Sequence, residues 1–255
     1  KMRTKLLIIA LCLSAFFLFV IFGAVSSLPA DIAVSHLSLP KSVKITGASG
    51  TIQNGFAERI KSGAFSVSNV SWVSGGLIDL LRGRAHISID DPKLITASAD
   101  LTAAPNLLVL EHLTGSGTVD RIVKYIGLAK MPVKFSGNVD LKFPYVAFQN
   151  GKCDRVAGRI RLSELNGKVQ GQVFDLGAGE FKFECRKGNI EAKVLISSEM
   201  YTINGNFTVT SKGATLFRGS LTPNQELEPE LRMGLSLFGK ENKDGSYSFT
   251  VRDHF

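Results

Sequence analysis

The sequence predicts a mainly β fold: an N-terminal transmembrane helix followed by a strongly curved antiparallel β-sheet domain with two or three short helices. Three observations carry this expectation. Residues 6–26 form an apolar run without a charge. Apolar and polar residues alternate with period two through most of Val133 to Val209. Asn-Gly and Asp-Gly pairs punctuate the alternation, and further glycines recur inside the alternating segments.

The apolar run "LLIIALCLSAFFLFVIFGAV", Leu6 to Val25, is long enough as a helix at about 1.5 Å per residue to cross a hydrocarbon core of about 30 Å. Its basic flank, Lys1, Arg3 and Lys5, would stay in the cytoplasm and place the remainder on the far side of the membrane. A cleaved signal peptide is the rival reading, with "AVS" at 24–26 as the cleavage site. The apolar run exceeds the roughly 7–15 residues of a signal core, which favours the anchor. The chain then divides into a cytoplasmic flank (1–5), a transmembrane helix (6–26), a linker (27–33) and a β-rich domain (34–255).

In that domain "VKFSGNVDLKF" places Phe135, Val139, Leu141 and Phe143 on one face and lysines, Ser136, Asn138 and Asp140 on the other. "VAGRIRL" sets Val156, Ile160 and Leu162 against Arg155, Arg159 and Arg161. "GEFKFEC" adds Phe181 and Phe183 to the apolar side. This is the pattern of half-buried antiparallel strands. "QNG" at 149–151, "LNG" at 165–167 and "KDG" at 243–245 read as tight turns, because Asn-Gly and Asp-Gly tolerate positive φ. Glycines inside strands, as in "FSGNV", "VQGQV", "INGNF" and "FRGSL", read as bends that curve the sheet. Helical spacing is confined to short pieces: Leu77, Leu80 and Leu81; Val119, Ile122, Val123 and Ile126; and Leu231, Leu235 and Phe238 after Pro229. The last strand is expected at 246–251.

Trp72, the single tryptophan, lies in "NVSWVSGGLIDLLRGRAHISID". Phe65 and Val67 share one parity while Val70 and Trp72 share the other, so a bulge or strand break is expected near Ser68 and Asn69. Trp72 reads as a packing residue beside that slip, and a ligand-stacking ring is the competing reading.

Chemistry-bearing residues are sparse. The histidines, His36, His86, His112 and His254, have no partner at metal-ligand spacing, so neither metal nor cofactor is expected. No nucleophile elbow, phosphate loop or calcium loop is present, and the chain is read as a non-enzyme. The net charge of +8 is not arranged as a basic stripe interleaved with stacking aromatics, which excludes a nucleic-acid partner. Arg155, Arg159 and Arg161 read as a solvated strand face, with anionic headgroups or an acidic partner as the functional alternative. Cys12 lies within the apolar run. For Cys153 and Cys185, an up-and-down meander with "LNG" as a turn predicts opposite ends of the sheet, over about 20 Å apart at roughly 3.3 Å per residue, and therefore no disulfide.

Four segments taken in order resemble the type II secretion system protein N family: "LSLPKSVKITGASGTIQNGFAERI", "VSNVSWVSGGLIDLLRGRAHISI", "LTGSGTVDRIVKY" and "FRGSLTPNQELEPELRMGLSLFGKENKDGSYSF". Trp72 is the clearest marker among them. The departures are a polar C-terminus and a divergent middle. The resemblance implies a single-pass inner-membrane protein with its N-terminus in the cytoplasm and a periplasmic domain similar to AsmA-like β-sheets. It also implies an accessory role in protein export through contacts with other secretion-system proteins. The alternative is a lipid-binding or lipid-bridging groove, with acyl chains against Phe135, Leu141, Phe143, Val156, Ile160, Leu162, Phe181 and Phe183. An outer-membrane barrel ending on Phe255 is a third reading.

Overall fold

A computed structural model describes residues 27–32, 43–62, 65–125, 134–169, 171–211, 214–224 and 240–254. The apolar run 6–26, the helical spacing around Leu231 and the terminal Phe255 lie outside the described residues. Among the described residues no helix is long and apolar enough to cross a membrane.

The fold is mainly β and antiparallel, with few and short helices. Strand β4 (Arg84–Asp90) carries the division between two compact units, residues 1–88 and 89–255. In the first unit β1 (Val43–Gly50), β2 (Asn54–Ser62) and β3 (Phe65–Val73) form a meander, followed by the one-turn helix α1 (Leu77–Leu81). The bulge or strand break expected near Ser68 and Asn69 is not formed; the local irregularity is a positive φ at Asn69, +52. The β2–β3 register is the same on both sides of it, Arg59 facing Ser68 and Ala57 facing Val70, so the strand neither breaks nor gains a residue.

In the second unit the order is β5 (Ile95–Ala104), β6 (Leu107–Thr118), β7 (Lys134–Gln149), β8 (Lys152–Val169), β9 (Gln172–Arg186), β10 (Asn189–Ser197), β11 (Tyr201–Val209) and β12 (Ala214–Pro223). β14 (Tyr247–His254) joins β12, and the two-residue β13 (Lys240–Glu241) lies outside it. Neighbours in sequence are neighbours in space, and tight turns join several of them. Asn150 (φ +51) and Gly151 (φ +71) supply the positive φ of the β7–β8 turn, and Gly245 (φ +79) closes the turn before β14. Helix α2 (Val119–Tyr125) follows β6 and packs its Val119, Ile122 and Val123 against Val139, Leu165, Phe135, Ile160 and Leu162. Burying a residue such as Val119 or Val139 contributes about 1.5–3 kcal/mol.

Three expectations are corrected. "LNG" at 165–167 is not a hairpin turn: Asn166 and Gly167 lie inside β8, which continues to Val169. The positive φ sits instead at Glu164 (φ +52), in an irregularity that breaks the register between Leu162 and Leu165. Asn166 Nδ2 donates to the Glu164 carbonyl at 2.8 Å, so the asparagine supports a bulge rather than a turn.

The sheet of the second unit is open and not strongly curled. Its intra-strand glycines serve packing instead of curvature. A Cβ at Gly158 would overlap the Phe143 ring, and one at Gly205 would meet the Phe217 ring at 2.6 Å. Each ring lies across the gap that a missing side chain leaves on the neighbouring strand.

Cys153 and Cys185 form a disulfide, with Cα atoms 5.7 Å apart. Because β8 runs unbroken, Cys153 near its start and Cys185 near the end of β9 share the open end of one hairpin. The β7–β8 register skips Asp154, with Ala147 facing Arg155 and Phe148 facing Cys153. That extra residue turns Cys153 from the arginine face to the face of Cys185, where Cys153 is buried.

Candidate functional faces of the second unit

Pairing across β7–β12 and β14 aligns side chains into rows. One row reads Leu141, Ile160, Phe181, Val194, Gly205, Gly219, Phe249. The next along the strands contains Phe183, Ala192, Phe207, Phe217 and Val251. Phe143 and Phe183 flank Gly158 with ring centroids 5.2 Å apart, and Phe217 and Phe249 are 5.6 Å apart. Such tilted pairs contribute about 0.5–1.5 kcal/mol beyond area burial.

The structure brings the eight expected groove residues onto this one apolar face, and each of them is half-buried. They do not form a uniform trough. Phe135, Ile160 and Leu162 belong to the cluster under α2. Leu141, Phe143, Val156, Phe181 and Phe183 lie outside that cluster. Among the described residues no large side chain is fully buried, so the apolar face is the nearest thing to a core and is only partly covered.

The opposite face carries charge. The register sets Lys142 opposite Arg159, Arg159 opposite Lys182, and Lys182 opposite Lys193. Asn206 and then Arg218 continue the row on β11 and β12. Glu180 receives Lys182 at 3.0 Å and Arg161 at 3.4 Å. The hydrogen bond from Lys182, with Arg161 adding to it, holds the Glu180 carboxyl below the usual carboxylate range. The three arginines read from sequence as one solvated set are separated here. Arg155 lies over the Tyr145 ring at 5.6 Å, Arg161 pairs with Glu180, and Arg159 joins the cation row. Sequence reading missed this row because it assembles residues from six strands, β7 to β12, that no local pattern connects.

Trp72, in the first unit, faces Gly55 across β2–β3 and is half-buried. A Cβ at Gly55 would overlap the indole, and the ring donates from Nε1 to the Ile52 carbonyl at 3.1 Å. Trp72→Ala is expected to cost about 2 kcal/mol, through lost packing and an unpaired carbonyl. Trp72→Phe is expected to recover roughly half of that by keeping the ring over Gly55. Urea unfolding followed by far-UV circular dichroism checks both, and two variants of wild-type stability would remove Trp72 from the packing of this unit.

Among the described residues no cluster of His, Cys, Asp and Glu could hold a metal ion. His112 and Asp100 meet at 3.0 Å on an exposed strand surface. Antiparallel strands with one partly covered apolar face, one charged face and a disulfide-closed hairpin define a β-sheet surface protein. The model of the family described as "Type II secretion system (T2SS), protein N" matches residues 41–250, and the chain belongs to that family. It is 26% identical to the type II secretion system protein N of Aeromonas hydrophila, over 96% of this chain and 97% of the relative. The Klebsiella pneumoniae protein of the same name is 24% identical over 94% and 92%. The Pectobacterium carotovorum protein is 23% identical over 46% and 47%. No solved structure matches.

Proposed function

We propose that this chain is an accessory component of the type II secretion apparatus and acts without catalysis, through protein–protein contacts in the periplasm. The observation that carries this reading is the family match over residues 41–250. The near full-length alignment with the Aeromonas protein supports it. The Cys153–Cys185 bridge supports an oxidising compartment for the second unit, since such bonds persist outside the cytosol. The uncharged run 6–26 with its basic flank supports a single-pass inner-membrane anchor whose N-terminus is cytoplasmic.

The test combines deletion with purification. Deleting the gene is expected to lower the amount of type II substrates in the medium while they accumulate in the periplasm. The tagged full-length chain is expected to co-purify secretion-system components from solubilised inner membranes. Unchanged secretion together with an empty co-purification would sink the reading.

The lipid-binding alternative is favoured by one observation: Leu141, Phe143, Val156, Phe181 and Phe183 are half-buried outside the α2 cluster. An AsmA-like groove would place acyl chains there. Lipid found by native mass spectrometry on the wild-type chain, and lost on Phe181→Asp, supports that alternative.

A further inference from the structure

We infer that the charged face of the second unit is a docking trough for an extended acidic segment of a partner protein, centred on Lys193 and Arg218. The inference deepens the protein-contact reading above and rests on it.

The starting observation is an arrangement that folding alone does not favour. Lys142, Arg159, Lys182 and Lys193 stand directly opposite one another on four successive strands, about 4.8 Å apart. Like charges opposite each other across antiparallel strands destabilise the pairing. Within this row Lys182 has a carboxylate, that of Glu180. Lys142, Arg159, Lys193 and Arg218 have no ion pair among the described residues. An anion supplied from outside would remove the repulsion.

The shape selects the kind of anion. Asn206 is short and stands between Lys193 and Arg218, which are long, while Glu180, already paired with Lys182 and Arg161, Leu195, Asn204 and Ser220 form the adjacent row. The result is a hollow of about 610 Å³ over β9–β12, whose floor includes the backbone of Gly205 and Gly219. A flat bilayer surface would meet the tips of the long cations and leave the amides and hydroxyl on the floor unused. A carboxylate side chain from an extended peptide reaches both: the ammonium and guanidinium groups at the rim and the amide N–H donors below. Leu195, 47% exposed beside the hollow, offers the aliphatic stem of such a side chain an apolar contact. No aromatic ring lines the hollow, which removes the stacking platform that a single-stranded nucleic acid would use.

The experiment uses the full-length chain in detergent and a fluorescein-labelled peptide of alternating glutamate and serine, read by fluorescence anisotropy. Binding is expected to weaken about tenfold between about 50 and 300 mM salt. Lys193→Glu combined with Arg218→Glu is expected to weaken it at least about tenfold, while Lys44→Glu in the first unit stays within about twofold. Circular dichroism confirms that the double variant is folded, and the single Arg218→Gln variant, with an intermediate loss, serves if it is not. Peptide binding that is absent, or unchanged by every variant, overturns the inference. Phosphatidylglycerol vesicles without protein form the second arm. Sedimentation with vesicles that is lost in the double variant, without peptide binding in the wild type, assigns the face to lipid headgroups and also overturns it. Co-purification separates this failure from that of the functional reading. If the wild-type chain and the double variant retain the same secretion components, the trough falls and the protein-contact reading stands. If the wild type retains none, that reading falls, and with it the partner class assigned to the trough.

Discussion

Replacing Cys153 and Cys185 together by alanine is expected to lower the stability of the second unit by about 3–4 kcal/mol. The bond closes a loop with a sequence separation of 32, and cross-linking a chain over that length removes entropy from the unfolded ensemble. The loop is also a long hairpin, β8 and β9 with 18 and 15 residues. In the oxidised protein this hairpin is held at its open end, where backbone pairing has the least help from the turn. Urea unfolding of the second unit, with and without reductant, measures the effect. A midpoint indifferent to reductant, or free Cys153 and Cys185 thiols in a non-reducing peptide mass map, would show that the bridge is absent or idle. The single variant Cys185→Ala also removes the bridge and leaves Cys153 as a buried thiol without its partner.

Gly177→Ala is expected to cost about 2–4 kcal/mol. Gly177 has φ +79, where an L side chain is strained, and a Cβ would also overlap the carbonyl of Ser197 and come within 2.8 Å of Ser198 Cα. The conformation is set locally: the Gly177 N–H donates to Asp175 Oδ1 at 2.7 Å, and the β8–β9 register shifts at Leu165 opposite it. Backbone on the adjacent strand cannot yield as the end of a flexible side chain would. Gly151, in the β7–β8 turn, provides the control. Its φ is +71, but nothing lies within 4 Å of its would-be Cβ. Gly151→Ala is therefore expected to cost only the conformational part, about 1 kcal/mol. Equal losses in the two variants would show that the close approach of β9 and the Ser197 turn contributes nothing. The comparison is read from the same unfolding transition, since both glycines lie in the second unit.

Much of this architecture was legible in the chain. Alternation placed Phe135, Leu141, Phe143, Ile160, Leu162, Phe181 and Phe183 on one face because side-chain direction along a strand is a local property of period two. The "QNG" and "KDG" turns were legible for the same reason, and the spacing of Val119, Ile122 and Val123 marked α2. Order and spacing of weak motifs, Trp72 among them, pointed to the family that the comparison over 41–250 establishes. What misled was the assumption that chemistry suited to a turn makes a turn. "LNG" has that chemistry, yet Glu164 beside it takes the positive φ and the strand runs on. That single misreading split β8 in two and separated two cysteines that are bonded.

The sequence by itself determined a mainly β, antiparallel protein with alternating faces and short helices, since these follow from neighbours two to four residues apart. The tertiary structure alone decided how long each strand runs, where a bulge inverts its phase and which residues stand opposite one another. Those choices rest on pairing between strands distant in the chain, where one inserted residue such as Asp154 moves a side chain to the other face. The disulfide, the aromatic rings laid over glycines and the row from Lys142 to Arg218 all arise at that level.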